Sequence, residues 1–214
     1  MKIFDTTFLS ENVKEIGERY EDLGFFIPTN INRFIKIKNC NIEEELLKNL
    51  ENFKPDIVAF SLMSDDIELT IRLAKVIKKM NNIPIILGGV HPTVDPENTI
   101  RLDCVDMVCI GEGEGAFIEL LKKMEGKEDI TKIKSIWVKE NGKIFRNEVR
   151  PFLNMNDIPS PDCSGFSQMH LYKPFWGKVY RIIDVELSRG CPYSCSECIN
   201  ICLQNVYKNK GSYH

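Results

Sequence analysis

Short unbroken apolar runs alternate along this chain with stretches whose apolar residues recur every three or four positions. MKIFDTTF opens as a strand running into a loop. IEEELLKNLENF sets Ile42, Leu46, Leu47 and Leu50 on one helical face. After Pro55, the continuous apolar run in DIVAFSLM predicts a strand buried on both faces. SDDIELTIRLAKVIKKM predicts a helix with acids early, lysines late, and Ser64 or Asp65 as its cap. IPIILGG is a second buried strand, ending in paired glycines. PENTIRLD is a short helix, and VDMVCIGEGE a third buried strand ending in a glycine-rich turn. GAFIELLKKMEG is a helix closed by Gly126. Strands alternating with helices predict an α/β domain over residues 1–126, a parallel sheet with helices on both faces.

The pattern changes after Gly126. IKSIWVKENGKIFRNEVR reads as a hairpin turning at Asn141-Gly142. NMNDIPSPDCSGF, with Pro159 and Pro161, reads as a linker, so residues 127–178 are hairpin and linker. KVYRIIDVELS then predicts a fresh strand leading into a cysteine loop, within a third segment, 179–214.

Charge narrows the function classes. Lysine and arginine number 28 against 31 aspartates and glutamates, a formal net charge of −3, which supplies no basic patch for nucleic acid or a membrane surface. No apolar run approaches the ~18 residues of a membrane span. The N-terminus also lacks a secretory signal, so the expected location is the cytoplasm. Eight cysteines in a reducing compartment then need explaining. Cys40, Cys104, Cys109 and Cys163 are scattered, and Cys104 and Cys109 sit in apolar sequence as core thiols do.

In a Rossmann-like (flavodoxin-like), doubly wound sheet, ligands bind beyond the carboxyl ends of the strands. Three such ends are chemically unusual here. The first offers Ser61 and Leu62, the second Gly88, Gly89, Val90, His91 and Thr93, the third Gly111, Glu112, Gly113 and Glu114. Two glycine-rich turns on one sheet edge point to a ligand site, because glycine lets the backbone approach a ligand closely. The sequence meets neither the G-x-G-x-x-G dinucleotide fingerprint nor the P-loop pattern.

Cys191, Cys195 and Cys198 form a C-x3-C-x2-C loop, with Cys202 close behind. Thiolates at this spacing suit an iron–sulfur cluster or zinc. Three cysteines would leave one iron of a [4Fe–4S] cubane open to a small ligand. Zinc would require a fourth ligand, for which Cys202 is the candidate.

ELSRGCPYSC-x2-C resembles the cluster loop of radical S-adenosylmethionine enzymes, and LGGVHPT and IGEGE, in that order upstream, resemble the cobalamin (B12)-binding domain that precedes the radical domain in a large subfamily. The resemblance covers nearly the whole chain. It implies that Cys191, Cys195 and Cys198 bind a [4Fe–4S] cluster whose open iron holds S-adenosylmethionine. It also implies that Ser61, Leu62, Gly88, Gly89, Val90, His91, Thr93 and the Gly111–Glu114 turn line a cobalamin pocket. The implied chemistry is methyl transfer or rearrangement by a 5′-deoxyadenosyl radical route on an unidentified substrate. The D-x-H-x-x-G motif that supplies a lower-ligand histidine elsewhere is missing. Against the family pattern the chain is expected to be truncated at both ends, carrying only the first strand and cluster loop of a β/α barrel. Such a chain is expected to be inactive alone. The alternatives are a corrinoid-binding module acting with a separate barrel subunit, and a zinc-binding regulatory protein.

Overall fold

The computed structural model describes residues 1–11, 33–80, 83–208 and 210. Its elements run β1 (Leu9–Ser10), β2 (Lys38–Asn39), α1 (Ile42–Phe53), β3 (Val58–Ser61), α2 (Ile67–Met80), β4 (Ile85–Gly88), α3 (Val90–Val94), α4 (Pro96–Arg101), β5 (Met107–Cys109), α5 (Glu114–Glu125), β6 (Ile136–Glu140), β7 (Lys143–Phe145), β8 (Tyr172–Phe175), β9 (Lys178–Arg181) and α6 (Asn200–Val206). They fall into two compact units. One joins residues 1–54 to 160–187, and the other joins 55–159 to 188–214.

The larger unit is built on a five-stranded sheet in the order β3-β4-β5-β6-β7. The first three strands are parallel, and β6 and β7 add antiparallel. Ile86 lies opposite Met107, and Met107 opposite Val138. With Cys109 and Ile136 they form one face, onto which Ala116 and Leu120 of α5 pack. By strand alternation Ile85, Leu87 and Val108 point the other way. They are fully buried as well. α2 buries Thr70, Leu73, Ala74 and Ile77, the i, i+3, i+4, i+7 stripe of a helix lying on a sheet. Helices therefore cover both faces of a Rossmann-like sheet, as the sequence predicts. Each fully buried side chain of this size contributes about 1.5–3 kcal/mol. At the edge remote from the glycine turns, the Asp106 carboxylate accepts from Lys78 Nζ at 2.6 Å and from the Ile85 amide at 2.7 Å, tying the end of α2 to the start of β4.

Several local expectations change. Residues 1–6 form no strand; Asp5 accepts from the Thr7 amide, which turns the chain before β1. Neither Ser64 nor Asp65 caps α2. A 3-10 turn, Ser64–Asp66, leads into it, and the Asp66 carboxylate accepts from the Met63 amide. β3 is not buried on both faces. Among the described residues it is the sheet's edge strand, with Ala59 and Ser61 exposed. The hairpin 136–145 is no mere connector, because Val108 pairs with Trp137 and carries it into the sheet. Its turn is as predicted, with Asn141 and Gly142 at φ 50° and 75°.

The smaller unit pairs β1 with β2 in parallel and β8 with β9 as an antiparallel hairpin. Trp176 and Gly177 turn that hairpin at φ 51° and 71°. The strand expected from KVYRIIDVELS ends at Arg181. Beyond it Ile183, Val185 and Leu187 are 72%, 72% and 88% exposed, alternate positions with no partner strand among the described residues. Asn41 caps α1 by accepting from the Glu44 amide, and Ile42 and Leu46 are buried.

An acid-sensitive contact also lies in this unit. His170 Nε2 meets Asp5 Oδ2 at 2.5 Å, with Phe8 and Phe166 against the imidazole. Burial raises the Asp5 carboxyl, but His170 and Thr7 outweigh it and hold the group below its ordinary value of 3.8. A lowered carboxylate stabilises the fold above the unfolded value, and that stability is lost as pH falls through the lower folded value. The urea midpoint of the wild type is therefore expected to drop more steeply below about pH 4 than that of Asp5→Asn. Parallel acid limbs would leave the pair with no role in acid stability.

Candidate functional site

The parallel run of β3, β4 and β5 brings their carboxyl ends to one edge. Ser61 lies opposite Gly88, and the backbone carries the pairing one step further. The Leu62 amide donates to the Gly88 carbonyl at 3.0 Å, and the Leu62 carbonyl accepts from the His91 amide at 3.4 Å. Gly89 sits at φ 100° with its Cα against this backbone, where a Cβ would lie 2.6 Å from the Leu62 oxygen. α3 starts directly after it. The periodicity gives no sign of this five-residue helix, whose third residue is Pro92. His91 is half-buried and its Nδ1 lies 3.1 Å from Ser64 Oγ.

Thr93 joins the two glycine turns. Its buried hydroxyl donates to the Gly89 carbonyl at 2.7 Å and accepts from the Gly111 amide at 2.9 Å. Gly111 takes φ 78°, and α5 begins two residues after Glu112. Ser61, Leu62, Gly88, Gly89, Val90, His91, Thr93, Gly111, Glu112, Gly113 and Glu114 thus share one edge, but not one role. The Thr93 hydroxyl and the Leu62 backbone are spent inside the protein. Ser61 is exposed and the glycine turns are half-buried.

Residues far along the chain complete this edge. Glu112 Oε2 accepts from the Leu153 amide at 2.8 Å, and Glu112 Oε1 accepts from Arg189 at 3.2 Å. Arg189 also meets Glu114 at 2.7 Å. Burial raises the Glu114 carboxyl, but Arg189 and a backbone amide hold it below its ordinary value. The Tyr207 hydroxyl accepts from the Glu112 amide at 2.6 Å, and its ring stacks on Phe152 at 4.0 Å. Burial foremost, with Glu112, Cys109 and Glu114 nearby, pushes the phenol up to about 12, so it stays protonated. Cys109 beneath the turn is pushed up to about 11, mainly by burial, and is an inert core thiol. The sequence offers no signal for Tyr207, Phe152 or Arg189. Each lies outside the periodic segments, and Tyr207 stands 95 positions from its partner.

This arrangement seats one flat ring with one acceptor oxygen, that of Tyr207. The hollow at Gly111 admits the Tyr207 ring because glycine leaves room: a Cβ there would meet the phenol oxygen at 2.1 Å. The Glu112 amide holds the phenol oxygen and the Phe152 ring covers the other face.

The cysteine loop is arranged differently. Cys191 is half-buried, and Cys195 and Cys198 are exposed. Gln204 Nε2 donates to the carbonyls of Cys191 and Tyr193 at 2.8 and 3.1 Å, so α6 grips the loop by its backbone. Among the described residues no three His, Cys, Asp or Glu side chains converge to hold a metal ion. No described helix is long and apolar enough to cross a membrane.

Residues 12–121 match the B12 binding domain family. The chain belongs to that family. It is 34% identical over 157 residues to an uncharacterized methyltransferase of Pyrococcus horikoshii, covering 72% of this chain and 33% of the relative. It is 26% identical to an anaerobic magnesium-protoporphyrin IX monomethyl ester cyclase of Cereibacter sphaeroides, over 72% of this chain and 26% of that protein. It is 28% identical to the cobalamin-dependent radical SAM methyltransferase TokK of Streptomyces tokunonensis, over 68% of this chain and 22% of TokK. The B12-binding chain thus spans a third or less of the length of these relatives. Among solved structures, the radical S-adenosylmethionine methyltransferase TsrM of Kitasatospora setae shares the fold, with a TM-score of 0.52 and 16% identity over 74% of this chain and 32% of TsrM. This B12-binding domain is therefore related to those of cobalamin-dependent radical SAM methyltransferases.

Proposed function

We propose that this chain is the corrinoid-binding portion of a cobalamin-dependent radical SAM enzyme of methyltransferase type, and that the corrinoid seats at the joined glycine turns. One observation carries the reading: Thr93 fixes Gly89 and Gly111 side by side where β3, β4 and β5 end, the edge at which an α/β sheet of this kind binds its ligand. When bound, a corrinoid supplies a transferable methyl group. The chain's own part is to hold it. Ser61, Val90, His91 and the Gly111–Glu114 turn line the edge, while Leu62 and Thr93 set the spacing of the turns beneath them. Arg189 compensates Glu112 and Glu114, whose charges at the rim would otherwise be costly to bury.

Cys191, Cys195 and Cys198 are proposed as ligands of a [4Fe–4S] cluster with S-adenosylmethionine on its open iron. The thiols stand apart in this conformation, so that assignment rests on their spacing and the family likeness. The exposed alternate residues Ile183, Val185 and Leu187 favour a neighbouring strand supplied by further barrel sequence, in the same polypeptide or in a separate subunit.

Hydroxocobalamin is the direct test. The chain is expected to retain it in equilibrium dialysis with a micromolar or tighter Kd. Ser61→Trp, at an exposed strand end where a bulky ring needs no space inside the fold, is expected to weaken retention at least tenfold. Equal retention by both proteins would move the ligand away from this edge, and no retention by the wild type would overturn the reading.

A further inference from the structure

The Gly111 turn, part of the edge proposed to seat a corrinoid, is covered by the protein itself. Tyr207 is 7% exposed. Its hydroxyl takes the Glu112 amide and its ring covers the glycine turn, stacked on Phe152. The same amide and the same surface would serve a ligand. We propose that Tyr207 is a built-in occupant of the strand-end pocket, so that a corrinoid seats there only after α6 lifts away. This rests on the functional reading above.

The geometry makes the exclusion steric and chemical together. The phenol oxygen lies where even a Cβ on Gly111 would collide with it, so no ligand atom can occupy that side of the turn while Tyr207 is in place. The Glu112 amide has one hydrogen to donate, and Tyr207 accepts it. The contact also reaches the cysteine loop. Gln204 lies one helical turn before Tyr207 and donates to the Cys191 and Tyr193 carbonyls. Lifting α6 to free the pocket therefore pulls the helix from the loop, and corrinoid seating loosens the backbone that carries Cys191. The two sites are coupled through α6 and Tyr207, the residue that caps its C-terminus.

When the competent state is a minor one, apparent affinity falls in proportion to its population. Removing the occupant should therefore tighten binding. Hydroxocobalamin titrated into the full chain is expected to bind Tyr207→Ala at least tenfold more tightly than wild type. Tyr207→Phe keeps the stacked ring but not the acceptor oxygen, and should fall between them. Hydrogen exchange supplies a second readout on the wild type: amides of 200–207 should lose protection when hydroxocobalamin is added. If folded Tyr207→Ala binds no more tightly than a wild type that does bind, the occupant idea is wrong while the corrinoid site stands. If Tyr207→Ala does not fold, unchanged or increased protection of 200–207 in the wild type overturns the proposal. If neither protein binds hydroxocobalamin, the site reading falls and this inference falls with it.

Discussion

Gly89→Ala is expected to destabilise the larger unit by about 3–5 kcal/mol and to abolish corrinoid binding. Two effects combine. The residue holds φ 100° and ψ −164°, a region that side-chain-bearing residues enter only at a cost of about 1–3 kcal/mol. The added Cβ would also lie 2.6 Å from the Leu62 oxygen and 2.8 Å from its nitrogen. Those atoms cannot swing aside, because the Leu62 amide and carbonyl bond the Gly88 carbonyl and the His91 amide. Relief requires parting β3 from β4 at the binding edge. For a chain of this size the melting temperature should fall by roughly 6–20 °C. Gly142→Ala is the control. It also replaces a glycine of positive φ, but open space surrounds it. Its cost should stay near 1 kcal/mol. Equal losses from the two substitutions would mean that the close approach to Leu62 is unimportant. Gly111→Ala is a third case, since its obstruction is the end of the Tyr207 side chain, so the change should dislodge α6 before it disturbs the sheet.

Thr93→Val should cost about 2–3 kcal/mol, despite its near-perfect match in shape. The hydroxyl is buried and makes two bonds. Its loss leaves the Gly111 amide without its acceptor and the Gly89 carbonyl with only the first backbone bond of α3, so the tie between the two turns is gone. Thr93→Ser retains the oxygen and should recover most of the loss. Hydroxocobalamin affinity distinguishes a local role from a general one. Untying the turns should weaken binding of Thr93→Val about tenfold under conditions where it remains folded, whereas a merely destabilised protein would bind normally once folded. Chemical denaturation and dialysis on the three proteins settle both points.

Much of this was open to inspection in the sequence, and the reasons differ by element. The strands at 85–88 and 107–109 and the helices at 67–80 and 114–125 follow from apolar periodicity, because one continuous core imposes it. The Asn141-Gly142 turn follows from local backbone chemistry. β3 misleads because an unbroken apolar run describes its composition, not its place at the sheet edge. The glycine turns were legible because the backbone itself needs them. The role of Thr93 was not, since a threonine among glycines could equally face a ligand. Tyr207 and Arg189 were invisible for a simpler reason: their partners lie 95 and 77 positions away, and no local pattern encodes such a distance.

The antiparallel hairpin has a consequence of direction. β5 delivers the chain to the ligand edge, β6 carries it away, and β7 brings it back, so that Leu153 meets Glu112. One added strand would have discharged the polypeptide at the far rim, beside Asp106. Two return it. An even number of added strands thus decides which rim of the sheet the later sequence departs from, and the connecting segment begins at the mouth of the proposed pocket.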